Sequence, residues 1–216
     1  KRRYKAEGTP LQHVTTPNDL WCADYKGQFM LQNHQYCYPL TITDYHSRFL
    51  LSCEGLESNR QDMAFSVFER VFQEYGVPKA IRTDNGVPFA AGFSLFGLTK
   101  LSVWWLRLGI HLERIKPGHP EQNGRHERMH LTLKKETVTP AAENFLQQQG
   151  RFDDFIEEFN TERPHQALQM KTPAEVYTRS TKIYAGLPDV EYPAHDSAQI
   201  ITFCGRLCHK GKKINL

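Results

Sequence analysis

The sequence predicts an α/β domain of five strands and at least three helices in the order β-β-β-α-β-α-β-α, with a short β appendage at its C-terminal end. Three observations carry that prediction. Runs of β-branched and aromatic residues come first, separated by short polar breaks; apolar residues then recur at helical spacing; and the two periods alternate through the middle of the chain. The 216 residues suffice to bury a real core, and 39% hydrophobic with 24% charged residues is an ordinary globular balance rather than that of a disordered or fibrous chain.

Residues 1–19 are polar, broken by Pro10 and Pro17, and open on KRRYK, so they read as a basic N-terminal linker. LWCADYKGQFML from Leu20, YCYPLTITDY from Tyr36 and RFLLSCEGL from Arg48 read as an antiparallel meander. Ser58 to Gln61 fits a capping box, and Ala64, Val67, Phe68, Val71 and Tyr75 continue as a helix that Gly76 and Pro78 stop. The short run KAIRT ends at Asp84-Asn85-Gly86 and predicts a fourth strand. A helix over Leu98–Leu108, a strand over Ile110–Arg114, a Pro/Gly loop over 117–120 and a helix from Asn123 to Glu136 follow. An acidic helical stretch runs from beyond Pro140 to Glu162, and RPHQAL with TPAEVY is irregular; the core thus spans 20–180. Residues 181–216 read as a linker and a partial β module, with QIITFC and KKINL around a Gly-containing turn, too short to bury a core alone. The paired Trp104-Trp105 is expected in the core rather than stacking bases.

No stretch approaches the eighteen or so unbroken apolar residues of a membrane helix, and KRRYK leads into polar sequence rather than an apolar signal region. Five scattered cysteines fit reduced cytosolic thiols better than a disulfide framework, so the expected location is cytoplasmic. The first residue is Lys rather than Met, and the chain is expected to be a fragment. The net charge of +3 conceals an asymmetry: residues 1–5 and 206–213 each hold four Lys or Arg and no acid, leaving an acidic body between them. Within that body, Arg114 to Lys135 concentrates six Lys or Arg and three His against two Glu, the local charge a nucleic-acid binder needs.

Three acids stand in suggestive places. Asp24 interrupts the first strand, Asp84 lies at the end of the fourth in TDNG, and Glu127 sits in the first turns of a helix opened by PGHPEQNG. Ends of neighbouring strands and a helix beside them can converge, and hard divalent cations prefer such oxygen ligands. Each acid alone has an ordinary explanation, since Asp-Asn-Gly is a common turn and a helix-start Glu favours the dipole.

Together the motifs are specific. W-x-x-D in the first strand, TDNG followed by Phe89, and P-x-x-N-G-x-x-E with Lys134 downstream resemble the DDE transposase and retroviral-integrase superfamily, of the insertion-sequence transposase type. TITDYHSRFLL, YGVPKAIRTDNGVPF and RPHQALQMKTPAEVY resemble further segments of that family, extending the likeness over residues 18–180. The resemblance implies an RNase H-like mixed five-stranded sheet flanked by helices. It also implies catalytic and metal-ligating roles for Asp24, Asp84 and Glu127 around two Mg²⁺ or Mn²⁺ ions, with DNA nicked at the element's 3′ ends and then joined to target DNA. DNA, at element ends and target, is the expected partner, with a homo-oligomer as the active complex; Lys116, Asn123, Arg125, Arg128 and Lys134 are the expected DNA contacts. Glu127 and Lys134, seven residues apart, share a helix face. Asp44 rivals Asp24 but lies where the second strand turns toward the third, and the resemblance gives it no ligand role. The Asp84-to-Glu127 separation of 43 positions exceeds the spacing of shorter family members, with the excess expected in GFSLFGLTKLSVWW.

Three other readings compete. A catalytically inactive DNA-binding module would share the fold. His126-Glu127-Arg128-Met129-His130 spells the H-E-x-x-H zinc protease signature, but Leu133 stands where the longer form of that signature has Gly, Arg128 would place positive charge beside the metal, and Asp24 and TDNG stay unexplained. Cys204, Cys208 and His209 offer only three zinc ligands, so buried cysteines in a small β module are the expectation there.

Overall fold

The computed structural model describes residues 8–91 and 94–188, and the backbone of 206–209 and 212–215. The predicted first strand divides into β1 (Trp21–Tyr25) and β2 (Phe29–Met30), followed by β3 (Tyr36–Asp44) and β4 (Leu50–Leu56). Tyr25 faces Leu40 and Phe29 faces Cys37, so one extra residue is accommodated on the first side, where Gly27 takes φ +88°. Next come α1 (Gln61–Tyr75), β5 (Ala80–Thr83), α2 (Lys100–Arg107), β6 (His111–Arg114) and α3 (Gly124–Leu133). Then follow α4 (Phe145–Thr161), α5 (Pro173–Val176) and a hairpin of β7 (Arg206–His209) and β8 (Lys212–Asn215).

β1 is central. It pairs antiparallel with β3, which pairs antiparallel with β4, and parallel with β5, which pairs parallel with β6. The result is a mixed sheet in the order β4-β3-β1-β5-β6, with β2 extending the pairing along β3. One face packs α1 and α2 through Trp21, Ile42, Phe68, Phe72 and Trp105, and the other packs α3 and α4 through Cys53, Met129, Leu133, Phe152 and Phe159. Both faces are therefore apolar, and burying them from two sides is what makes a three-layer domain of this chain.

Two predicted details are corrected. The α1 capping box at Ser58 and Gln61 does not form: the N-cap is Arg60 without a side-chain cap, and Ser58 Oγ instead accepts from the Arg60 N–H at 3.4 Å. Side-chain caps are found instead at α2, where Thr99 and Ser102 satisfy one another's backbone N–H groups, and at α4, where the Asn144 side chain accepts from the Gln147 N–H. The helix carrying Glu127 ends at Leu133 rather than Glu136, and Lys134–Val138 widens into a π turn. Trp104 and Trp105 are core residues as expected, packed on Phe65, Phe68 and Phe72. QIITFC and the Cys204 side of the zinc reading lie outside the described residues. No helix among the described residues is long and apolar enough to cross a membrane.

Candidate active site

Two carboxylates are set by strand register. Trp21 lies opposite Ile81 and Cys22 opposite Arg82 in the parallel β1–β5 pair, and carrying that register forward two residues brings Asp24 level with Asp84. Alternation does the rest: Trp21, Ala23 and Ile81 pack into the α1 side, so Asp24 and Asp84 belong to the α3 side of the sheet. The TDNG turn holds Asp84 in place, with the Gly86 N–H donating to Oδ1 at 3.0 Å. A Cβ at residue 86 would stand 2.9 Å from Asp84 Oδ2, so a larger residue there would make the carboxylate shift. Phe89, downstream in the same motif, packs its ring against Tyr25 of β1 and Trp105 of α2.

The third acid is brought by α3. His126 and His130, one turn apart, dock the helix on β3: His126 Nδ1 meets Thr43 Oγ1 at 2.9 Å, and both Nε2 atoms meet Thr41 Oγ1 at 2.7 Å. Thr41 in turn donates to the Asp24 carbonyl at 3.1 Å. Glu127, between the two histidines in sequence, is exposed. As they stand, Asp24, Asp84 and Glu127 do not lie close enough together to hold a metal ion, but their charges reach one another. Burial, then the negative charges of Asp84 and Glu127, push the Asp24 carboxyl up to about 7, and burial also raises Asp84 against the Gly86 hydrogen bond.

The H-E-x-x-H histidines belong to the interior. Burial lowers His126 to about 3 and His130 to about 2, so both rings are neutral and both are engaged by threonines. Among the described residues no group of three or more His, Cys, Asp or Glu side chains lies close enough to hold a metal ion as they stand, which leaves the two histidines without a third zinc ligand. Asp44 is likewise occupied: it accepts from the Asn18 N–H at 2.7 Å, the Ser47 N–H at 2.7 Å and the Ser47 hydroxyl at 2.6 Å, shaping the β3–β4 turn.

The other singled-out residues divide. Lys116, Arg125, Arg128 and Lys134 are exposed. Asn123 is 4% exposed and its Oδ1 meets no partner, so the structure corrects its expected place on the DNA-facing surface. Arg125 is oriented by Tyr45, its guanidinium 4.1 Å from the ring centroid and its Nη1 donating to the Tyr45 carbonyl at 3.1 Å. Sequence reasoning missed Thr41, Arg48 and His165. The alternation of Thr41 and Thr43 opposite histidines four residues apart is a signal that could have found the first. Nothing local marks the other two, which meet only through the fold.

Two family models described as integrase core domain match this chain, one over residues 14–120 and one over 108–173. An uncharacterized 31.7 kDa protein of insertion element IS407 from Burkholderia multivorans is 24% identical over 181 residues, covering 81% of this chain. The Gag-Pol polyprotein of baboon endogenous virus is 31% identical over 104 residues, 48% of this chain and 6% of that protein. The chain spans 62% of the length of the insertion-element relative. Among solved structures, the HTLV-2 integrase catalytic core domain in complex with magnesium superposes with a TM-score of 0.59 at 16% identity, covering 77% of this chain and all of that one. A simian T-cell lymphotropic virus intasome in complex with a PP2A regulatory subunit gives 0.63 at 17% identity, over 92% of this chain and 68% of that one.

Proposed function

The chain belongs to the integrase core domain superfamily of DDE transposases and retroviral integrases and has its RNase H-like fold, and from that premise we propose that it nicks and joins DNA for a mobile element. What supports this reading is Asp24 in β1 and Asp84 just past the end of the adjacent parallel strand β5, level with one another when the β1–β5 register is carried forward two residues, with the charge of Glu127 among those that raise Asp24.

The donor set suits a hard divalent cation. All three groups are carboxylates, and an Asp24 pushed up first by burial and then by the charges of Asp84 and Glu127 marks a site short of positive charge. Asp24, Asp84 and Glu127 would hold Mg²⁺ or Mn²⁺, two ions in the active complex, with the exposed Glu127 swinging in to complete the set. Bound there, the cations supply the charge that activates an attacking oxygen and steadies a leaving one. The protein's own part is positioning. Rigid strand ends hold two carboxylates, and the histidine-docked helix delivers the third. Water adds at phosphorus as the P–O3′ bond at the element end breaks, freeing a 3′-OH; that hydroxyl then attacks a target phosphodiester and displaces its O3′. No Ser, Cys or Tyr nucleophile is required. Lys116, Arg125, Arg128 and Lys134 would contact the DNA, and the active complex would be a DNA-associated homo-oligomer.

Asp24→Asn, Asp84→Asn and Glu127→Gln keep shape while removing charge. In the full-length protein each should lower nicking and strand transfer by on the order of 100-fold or more with the circular dichroism spectrum retained. An Asp84→Asn protein joining DNA at the unaltered rate would overturn the assignment. A parent protein that binds DNA but never cuts it would favour the inactive binding module.

A further inference from the structure

On the side of α3 that faces the β3–β4 turn lies a cleft of about 140 Å³, lined by Arg48, Arg125, Arg128 and Arg163 together with His165. We propose that this cleft binds a backbone phosphate of DNA, as a contact distinct from the carboxylate site. The inference rests on the reading of the chain as a DNA-acting protein and adds a place where a strand is held.

Charge balance is the first argument. Arg163 is paired with Glu136 at 2.9 Å and Glu158 at 2.8 Å, but among the described residues no carboxylate forms an ion pair with Arg48, Arg125 or Arg128. Asp44, the one carboxylate on the cleft wall, already accepts three hydrogen bonds from Asn18 and Ser47. Three guanidiniums thus converge without counter-charge, and burial with the charges of Arg125 and Arg128 makes Arg48 a weaker base than usual. Convergent, unpaired arginines disfavour one another unless an anion joins them.

Unfilled hydrogen bonding is the second. Arg48 Nε and His165 Nε2 are buried atoms without a partner, and each such group costs about 1–3 kcal/mol if left unmet. An oxyanion could satisfy both. Preparation of the geometry is the third. Arg48 is held at φ +64°, a left-handed backbone that a non-glycine residue adopts at some cost, and Tyr45 fixes Arg125 from below.

Guanidinium forks match phosphate oxygens, so a phosphate is the natural ligand. A DNA backbone is favoured over a free ion because Arg125 and Arg128, two of the cleft-lining arginines, are exposed and open to a strand, and because the chain is read as acting on DNA.

The test is the salt dependence of duplex binding, measured in EDTA by fluorescence anisotropy on the full-length protein. Arg48→Gln and Arg128→Gln should each reduce the slope of log affinity against log salt by about one and weaken all sequences alike, while Arg48→Lys should restore the slope. Unchanged slopes in both glutamine variants would overturn the proposal. Should Arg48→Gln fail to fold, the exposed Arg128→Gln carries the test alone. Inorganic phosphate serves as the second arm. A phosphate-dependent rise in melting temperature, lost in Arg48→Gln while the DNA slope is unchanged, would make this a free-anion site and overturn the DNA assignment. Because metal is absent, failure here leaves the carboxylate reading intact. Conversely, a fully active Asp84→Asn protein alongside a reduced slope in Arg48→Gln would overturn that reading and support the cleft.

Discussion

Thr41 joins the strand that carries Asp24 to the helix that carries Glu127. Its one proton goes to the Asp24 carbonyl, which leaves its two lone pairs for the Nε2–H groups of His126 and His130. His126 Nδ1 then accepts from the Thr43 hydroxyl, so every donor has an acceptor and both rings are the Nε2–H tautomer. Removing this hydroxyl strands two buried donors at once. Thr41→Val should therefore cost about 2–4 kcal/mol in chemical denaturation, with Thr41→Ser recovering most of it. A valine variant within about 0.5 kcal/mol of the parent would show that the network carries no energy.

At the scale of elements, the start of α3 is fastened by an ion pair. Arg82 of β5 and Glu113 of β6 meet at 2.9 Å with both side chains 2% exposed, and Arg82 Nη1 also donates to the Gln122 carbonyl just before the helix. Breaking the pair leaves a buried charge uncompensated, whereas replacing both partners does not. Arg82→Met should lose about 3–5 kcal/mol in urea unfolding, and Arg82→Met/Glu113→Leu should regain most of it. A double variant as unstable as the single would mean that the loop contact at Gln122, rather than the charge, matters. Glu127 and Leu131 on α3 are exposed, and so is Lys134 at the start of the π turn that follows. If Lys134 reaches a phosphate near the scissile bond, Lys134→Ala lowers the salt slope by about one; Lys135→Ala, one residue further round the π turn, changes it less. A larger loss in Lys135→Ala would place the DNA on the other face.

Across the whole molecule, sequence pattern was informative where one period dominated. Ala64, Val67, Phe68 and Val71 bury at helical spacing, and the strands around Ile42 and Ile81 fall where their β-branched runs lie. Asp24 and Asp84 stood out because each sits beside such a run, yet their common level comes from parallel register, a long-range property. Capping at Arg60 was misread because Ser58 and Gln61 satisfy the motif while the chain turns two residues later. Asn123, expected as a DNA contact from the P-x-x-N-G-x-x-E resemblance, is buried, because the loop before α3 folds it under. Arg48 and His165 lie far apart in sequence, and only the packing of the β3–β4 turn against the end of α4 makes them neighbours.

The central claim is that Asp24, Asp84 and Glu127 form one divalent-metal site. A cation that binds only the folded chain stabilises it by mass action, by about 2.7 kcal/mol at a hundred times its Kd, which for a domain of this size raises Tm by about 5–10 °C. The decisive measurement is Tm against Mn²⁺ concentration for the parent protein and for Asp24→Asn/Asp84→Asn. A saturable rise is expected in the parent and none in the double variant; no rise in the parent, or an equal rise in both, would show that these carboxylates do not form one metal site.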